Sequence, residues 1–176
     1  MRREASRRDL RSRPGGEDPH ASNLRSGRVS TLGQTYTITK CCESSSRQII
    51  ADPFCPLKSA DNPDVIITSL KWLQDRERIK CSGNVIMPDH IHFMLRLGDV
   101  ASLSDVMHSF TSHTAKAINR LNEWSGTFWQ EGFYDHAIRH NRAFDQHLNY
   151  IAENAVRKRF VDSVEDWPFM WIHPEW

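Results

Sequence analysis

Two histidines, His90 and His92, are separated by a single isoleucine in the stretch VIMPDHIHFMLRL, residues 85–97. In a strand, residues two apart point to the same face and lie about 7 Å apart along the chain, close enough for two imidazoles to lean onto one cation. Ile91 then points the other way with Phe93, Leu95 and Leu97, leaving His90, His92, Met94 and Arg96 on the opposite face. That alternation fits a pair of metal ligands, and it equally fits two polar side chains on a wet strand face. A second constellation comes later: His147, Tyr150 and Asn154 fall at i, i+3 and i+7, on one narrow stripe of a helix. The stripe borders an apolar one formed by Phe144, Leu148, Ile151 and Ala155. Read alone, Tyr150 is either a packing residue with its hydroxyl toward water or a nucleophile that needs an electrostatic partner.

The elements that must position these groups can be read from periodicity. Residues 33–42, GQTYTITKCC, alternate as a strand. Residues 62–79 carry a helix-start signature, with Asn62 as N-cap, Pro63 at the first helical position and Asp64 in the positive first turn. KCSGNVIM and HIHFMLRL form a hairpin about Met87-Pro88-Asp89, with Asp89 as a turn residue. From Ser102 to Trp124 a second helix places Leu103, Val106, Met107, Phe110, Ala117, Ile118 and Leu121 on one face. GTFWQEGFYDHAIR reads as an aromatic strand, and residues 141–160 return to helical spacing. The order strand, helix, strand, strand, helix, strand, helix predicts an α+β fold: a ferredoxin-like antiparallel sheet with helices on one face, plus a C-terminal helix carrying Tyr150.

The chain has 176 residues, 39% hydrophobic and 26% charged, enough for one domain with a core of its own. No apolar run approaches the length that spans a bilayer, so the expectation is a non-membrane protein. Cys41, Cys42, Cys55 and Cys81 follow no C-x-x-C pairing and read as thiols of a reducing compartment, which points to the cytoplasm. The formal net charge of +1 hides an asymmetry: residues 1–30 hold eight arginines against four acids. This stretch lacks periodic hydrophobics and reads as a basic, disordered arm, either a solvated tail or a holder of nucleic-acid phosphates. Residues 31–160 are expected to form the domain, and residues 161–176, with Trp167, Trp171 and Trp176, a tail packed on it.

Four segments, VIMPDHIHFMLRL, GTFWQEGFYDHAIR, LNYIAENAVRKRF and VEDWPF, in this order and spacing, resemble the REP-associated tyrosine transposases. These belong to the single-tyrosine transposase group of the HUH endonucleases. The resemblance implies that His90 and His92 are metal ligands, that Tyr150 is the nucleophile and that Asn154 is the third ligand. It implies a single-stranded DNA endonuclease and strand transferase acting on REP-type hairpins through a 5′-phosphotyrosine link. Mg²⁺ or Mn²⁺ suits two imidazoles and an amide oxygen. Tyr134 is the second candidate nucleophile and His147 a second candidate for proton transfer. Cations expected to hold the strand are Arg28, Lys116, Arg120, Arg139, Arg157, Lys158 and Arg159, with Trp124, Phe128 or Trp129 as stacking partners. The expected partner is single-stranded or hairpin DNA, and the expected state a monomer or homodimer. Two rival functions stay open: a hairpin-binding module without turnover, and a metal hydrolase in which water attacks. The chain departs from the family pattern where proline commonly follows the ligand amide, since Asn154 is followed by Ala155-Val156, and where VEDWPF runs on into MWIHPEW. Without that proline the helix is expected to continue.

Overall fold

A computed structural model describes residues 30–43, 57 and 61–174. The arm's residues 1–29, Arg28 among them, and Cys55 and Trp176 lie outside the described residues. The elements are β1 (Thr35–Cys41), α1 (Asn62–Asp75), β2 (Ile79–Ile86), β3 (His90–Leu97), α2 (Leu103–Leu121), β4 (Tyr134–Ile138), α3 (Asn141–Ala152), α4 (Asn154–Arg157), a short 3-10 turn (Val164–Asp166) and β5 (Met170–Ile172). All strand pairs are antiparallel and the sheet order is β4-β1-β3-β2-β5. The first four strands have the expected ferredoxin-like plan, and β5 adds a fifth strand beside β2.

Alternation along β3 sorts its side chains as the sequence predicts. Ile91, Phe93, Leu95 and Leu97 join Tyr36, Ile38 and Ile86 in the larger core, closed by Ile66, Leu70 and Leu73 of α1 and by Val106, Met107, Phe110 and Ile118 of α2. Met94, on the other face, joins Val85, Met87, Leu148, Ile151, Ala155 and Trp167 in a smaller core. The face carrying the histidines is therefore covered by α3 and α4. Packing over Gly83 is close: a Cβ there would meet Leu148 Cδ1 at 2.9 Å and Ile172 Cδ1 at 2.6 Å, so those side chains would have to shift. The hairpin forms as expected, its turn closed by Met87 N–H donating to the His90 carbonyl at 2.8 Å.

Several local readings change. Asp61 occupies the N-cap position of α1 without a side-chain cap bond, and Asn62 is fully buried with its side-chain oxygen accepting from Asn122 Nδ2 at 2.8 Å, so tertiary bonding takes the amide from the helix end. α2 starts at Ser102 with a capping box to Asp105, but Leu121 near its C-terminus is 43% exposed and is not core. Only residues 134–138 of the aromatic segment pair as a strand. Phe128 and Trp129 turn inward instead, with a lone bridge between Cys42 and Trp129 and an indole N–H donated to Thr114 Oγ1 at 2.9 Å. They are core residues and offer no stacking surface. The helix does not run on unbroken: α3 is capped at Glu153, and a separate short helix, α4, carries the chain past Asn154 to Arg157 before Arg159 at φ 60° ends it. Arg159 N–H bonds Val156 O and Phe160 N–H bonds Ala155 O, a Schellman stop with arginine where glycine is usual.

Candidate functional site

Register on the sheet brings the first groups together. Residues directly opposite on paired strands share a face, and His92 stands opposite Thr39 of β1 and Val85 of β2, while His90 stands opposite Cys41. Thr39 Oγ1 lies 2.8 Å from His92 Nδ1, and Asp89 Oδ1 lies 2.6 Å from His90 Nδ1. With Nδ1–H donated to these oxygens, each ring presents its Nε2 lone pair to the remaining space, the arrangement that fixes a ligand imidazole. The two rings meet edge to face with centroids 4.6 Å apart. Neither Thr39 nor Asp89 was singled out from the sequence as part of a site. Asp89 is more than a turn residue, and its adjacency to His90 was the available signal. For Thr39, in a strand that also carries Thr35 and Thr37, there was none.

Burial sets the charge state. His92 is 9% exposed, and its pKa is pushed down to about 4, first by desolvation, then by His90 and Lys158, against an opposing pull from Asp89. At neutral pH the ring is uncharged, as metal ligation requires.

The helix supplies the rest. Tyr150, on α3 and 40% exposed, packs its ring edge to face against His92 with centroids 5.6 Å apart. Arg157 places its guanidinium carbon 5.3 Å from the centre of the Tyr150 ring. Four residues after Tyr150, Asn154 is 2% exposed, and its Oδ1 is buried without a hydrogen-bond partner among the described residues. Such an orphan costs about 1–3 kcal/mol in a folded interior, and a cation would remove the cost. Among the described residues no group of three or more His, Cys, Asp or Glu side chains is arranged to hold a metal. A cation on the histidine pair would thus draw on a neutral third donor, and an amide oxygen is one. The residues present fit a divalent ion with a mixed nitrogen and oxygen shell.

The other candidates are dispersed. Tyr134 stands opposite Thr39 on the edge strand β4, on the histidine face but two strands from His92, and is 58% exposed. His147 turns toward β4 and stacks on His136, centroids 5.1 Å apart. Burial, then His136, lowers its pKa. Arg157 and Lys158 are exposed beside the site, and Arg139 is exposed just beyond β4. Lys116 and Arg120 are exposed on α2, which covers the opposite face of the sheet. Trp171 is 41% exposed, whereas Trp167 is buried and donates its indole N–H to Ile86 O at 3.1 Å. Burial pushes the Cys81 thiol up to about 12, which keeps it protonated. No helix among the described residues is long and apolar enough to cross a membrane.

The REP-associated tyrosine transposase of Escherichia coli strain K12 is 30% identical over 91 residues, 51% of this chain and 52% of that protein. A Haemophilus influenzae protein provisionally given the same name is 30% identical over 98 residues, 50% of this chain and 56% of that one. The chain thus spans about half the length of the curated relatives it matches. A solved structure of a REP-associated tyrosine transposase bound to a REP hairpin has the same fold, with a TM-score of 0.66 at 21% identity over 81% of this chain and 79% of that one. The profile of the family described as "Transposase IS200 like" matches residues 61–154, which run from the cap of α1 through β3 to Asn154. Covering more than half of the sequence and ending on the orphaned amide, that match identifies the chain as a member of the IS200-like transposase family.

Proposed function

We propose that the protein is a metal-dependent single-stranded DNA endonuclease and strand transferase acting on REP-type hairpin DNA, with Tyr150 as nucleophile and His90, His92 and Asn154 as the metal-binding residues. The observation that carries this reading is the packing of the Tyr150 ring on His92, with the Asn154 Oδ1 orphaned one helical turn further on. The DNA class rests on the relatives' names and on the hairpin bound by the protein of the same fold. Tyr150 Oη attacks the scissile phosphorus, the bond to the 3′ oxygen breaks, and the proton lost by the phenol is balanced by the one that the departing 3′ oxygen takes up to become a hydroxyl. The 5′-phosphotyrosine so formed is reversed by a DNA 3′-hydroxyl, which displaces the tyrosine and completes strand transfer. A bound Mg²⁺ or Mn²⁺ would neutralise charge gathering on the non-bridging oxygens. Thr39 and Asp89 hold the imidazoles in the ligating tautomer, and Arg157 restrains the Tyr150 ring from its face.

The test is incubation of wild type and Tyr150→Phe with hairpin DNA carrying single-stranded extensions, in Mn²⁺, followed by denaturing electrophoresis. Wild type should give a denaturant-resistant protein–DNA adduct, and Tyr150→Phe should give none, with cleavage reduced by at least about a thousandfold. Equal cleavage by both proteins without an adduct would mean that water attacks. Hairpin binding without cleavage would leave a binding module.

A further inference from the structure

Past Tyr150 the histidine face runs on to β4, the edge strand among the described residues, where a group of side chains stands apart from the proposed metal ligands and nucleophile. Tyr134 is 58% exposed and shares the face of His92 through Thr39. One pleat further along, His136 stacks on His147 with rings 5.1 Å apart and 19° from parallel. His147 precedes Tyr150 by three residues, on the same side of α3. Where β4 ends, His136, Ala137, Arg139, His140 and Ala143 line an open cavity of about 420 Å³.

Among the described residues the polar wall of this cavity is two imidazoles and one guanidinium, with no carboxylate. His140 Nδ1 accepts from Ala143 N–H at 3.1 Å, so the neutral ring carries its proton on Nε2, a donor not used by that cap. Guanidinium and imidazole N–H groups are complementary to phosphate oxygens, and the volume admits a phosphate with part of its sugar. Along α3 the ten residues from His140 to Tyr150 rise about 15 Å, a span of a few nucleotides. An exposed aromatic followed by a guanidinium and imidazole N–H donors along an edge matches the way single strands are held, bases on aromatic faces and phosphates on polar donors.

Resting on the reading of the site given above, we propose that the β4 edge is the track for the DNA strand beside the scissile phosphate: Tyr134 stacks on a base, and the Arg139/His140 cavity binds a backbone phosphate a few nucleotides from the cut. His136, held by its stack on His147, forms the wall of the track nearer to Tyr150.

The test is equilibrium binding of the full chain in the Tyr150→Phe background, so that no cleavage intervenes, followed by fluorescence anisotropy. Three REP-type hairpins serve as probes: blunt, with a 5′ single-stranded extension, and with a 3′ extension. Asn is itself a good N-cap, so His140→Asn removes the imidazole and keeps the helix start. Both Arg139→Ala/His140→Asn and Tyr134→Ala should weaken binding about tenfold for one of the two extended hairpins and leave the blunt hairpin within about twofold. For the cavity variant the slope of log affinity against log salt on that probe should become shallower by about one unit for each phosphate no longer held. A methylphosphonate at the responsible linkage should abolish the difference between cavity variant and parent. Equal losses on all three probes, or no loss on any, overturns the track. If the parent protein binds none of the hairpins, the DNA reading falls and takes the track with it; hairpin binding that ignores the extensions sinks the track alone.

Discussion

The two faces of the sheet are built to different ends. On the α1/α2 face, Ile38, Ile91, Phe93, Leu95 and Leu97 meet Phe110 and its neighbours in a closed apolar layer, and the Trp129 and Thr114 polar groups are bonded internally. On the α3/α4 face a smaller apolar patch sits beside a neutral buried histidine and an amide oxygen without a partner among the described residues. β3 serves both, one parity of its residues to each. The difference teaches that the candidate chemistry gathers on one side of the sheet: the α1/α2 face holds the larger core, its orphaned Asn119 Oδ1 lying on α2 away from the histidines, whereas on the other face the orphaned Asn154 Oδ1 lies one helical turn from the Tyr150 that packs on His92.

The sharpest way to break this comparison is Phe93→Ala. Removing a fully enclosed ring from the closed face should cost about 3–5 kcal/mol, read as a shift in the urea midpoint at unchanged slope. Adduct yield per folded molecule should be unchanged, and a specific loss of adduct would show that the faces are not separate.

The next effect lies on the other face. His92 has a folded-state pKa of about 4 against an ordinary value of 6.5. As pH falls below 6.5 the unfolded chain takes up a proton that the folded chain refuses until about pH 4. Stability without added metal should therefore drop across that window, by up to about 3 kcal/mol, and level off below it. His92→Gln should flatten this part of the curve, and an unchanged slope in the variant would assign the effect elsewhere.

Thr39→Val should sharpen the comparison further. Loss of the oxygen that fixes His92 is expected to raise the Mn²⁺ concentration needed for half-maximal cleavage about 10- to 100-fold, with little change in thermal midpoint. If the metal requirement does not move, Thr39 does not orient the ring. The smallest effect is a gain: Asn154→Leu replaces the orphaned amide with an apolar side chain of similar size and should stabilise the fold by about 1 kcal/mol while abolishing adduct formation. A loss of stability would mean that the amide is already satisfied.

Much of the fold was legible because it is local. Strand alternation at 90–97 placed Phe93 and Met94 on opposite faces, both of them buried. The Pro-Asp turn marked the hairpin, and helical spacing found the core face of α2 through Leu103, Val106, Phe110 and Ile118. The misreadings came where distant partners overrode local preference. Asn62 had the chemistry of a cap but bonds Asn122 instead, and Phe128 and Trp129 looked like strand but were drawn into the core beside Thr114 and Phe110.

By itself the sequence determined which residue types are available and which of them share a face of one strand or one helix, because those facts repeat with the period of the backbone. It could say that His90 and His92 are neighbours, and that Tyr150 and Asn154 lie one turn apart. Only the tertiary structure decided that Thr39, 53 residues before His92 in the chain, meets its Nδ1, and that Tyr150 closes on the same ring from a helix crossing the sheet. Those meetings depend on strand register and on how α3 packs across the sheet, and neither is written in any local run of residues.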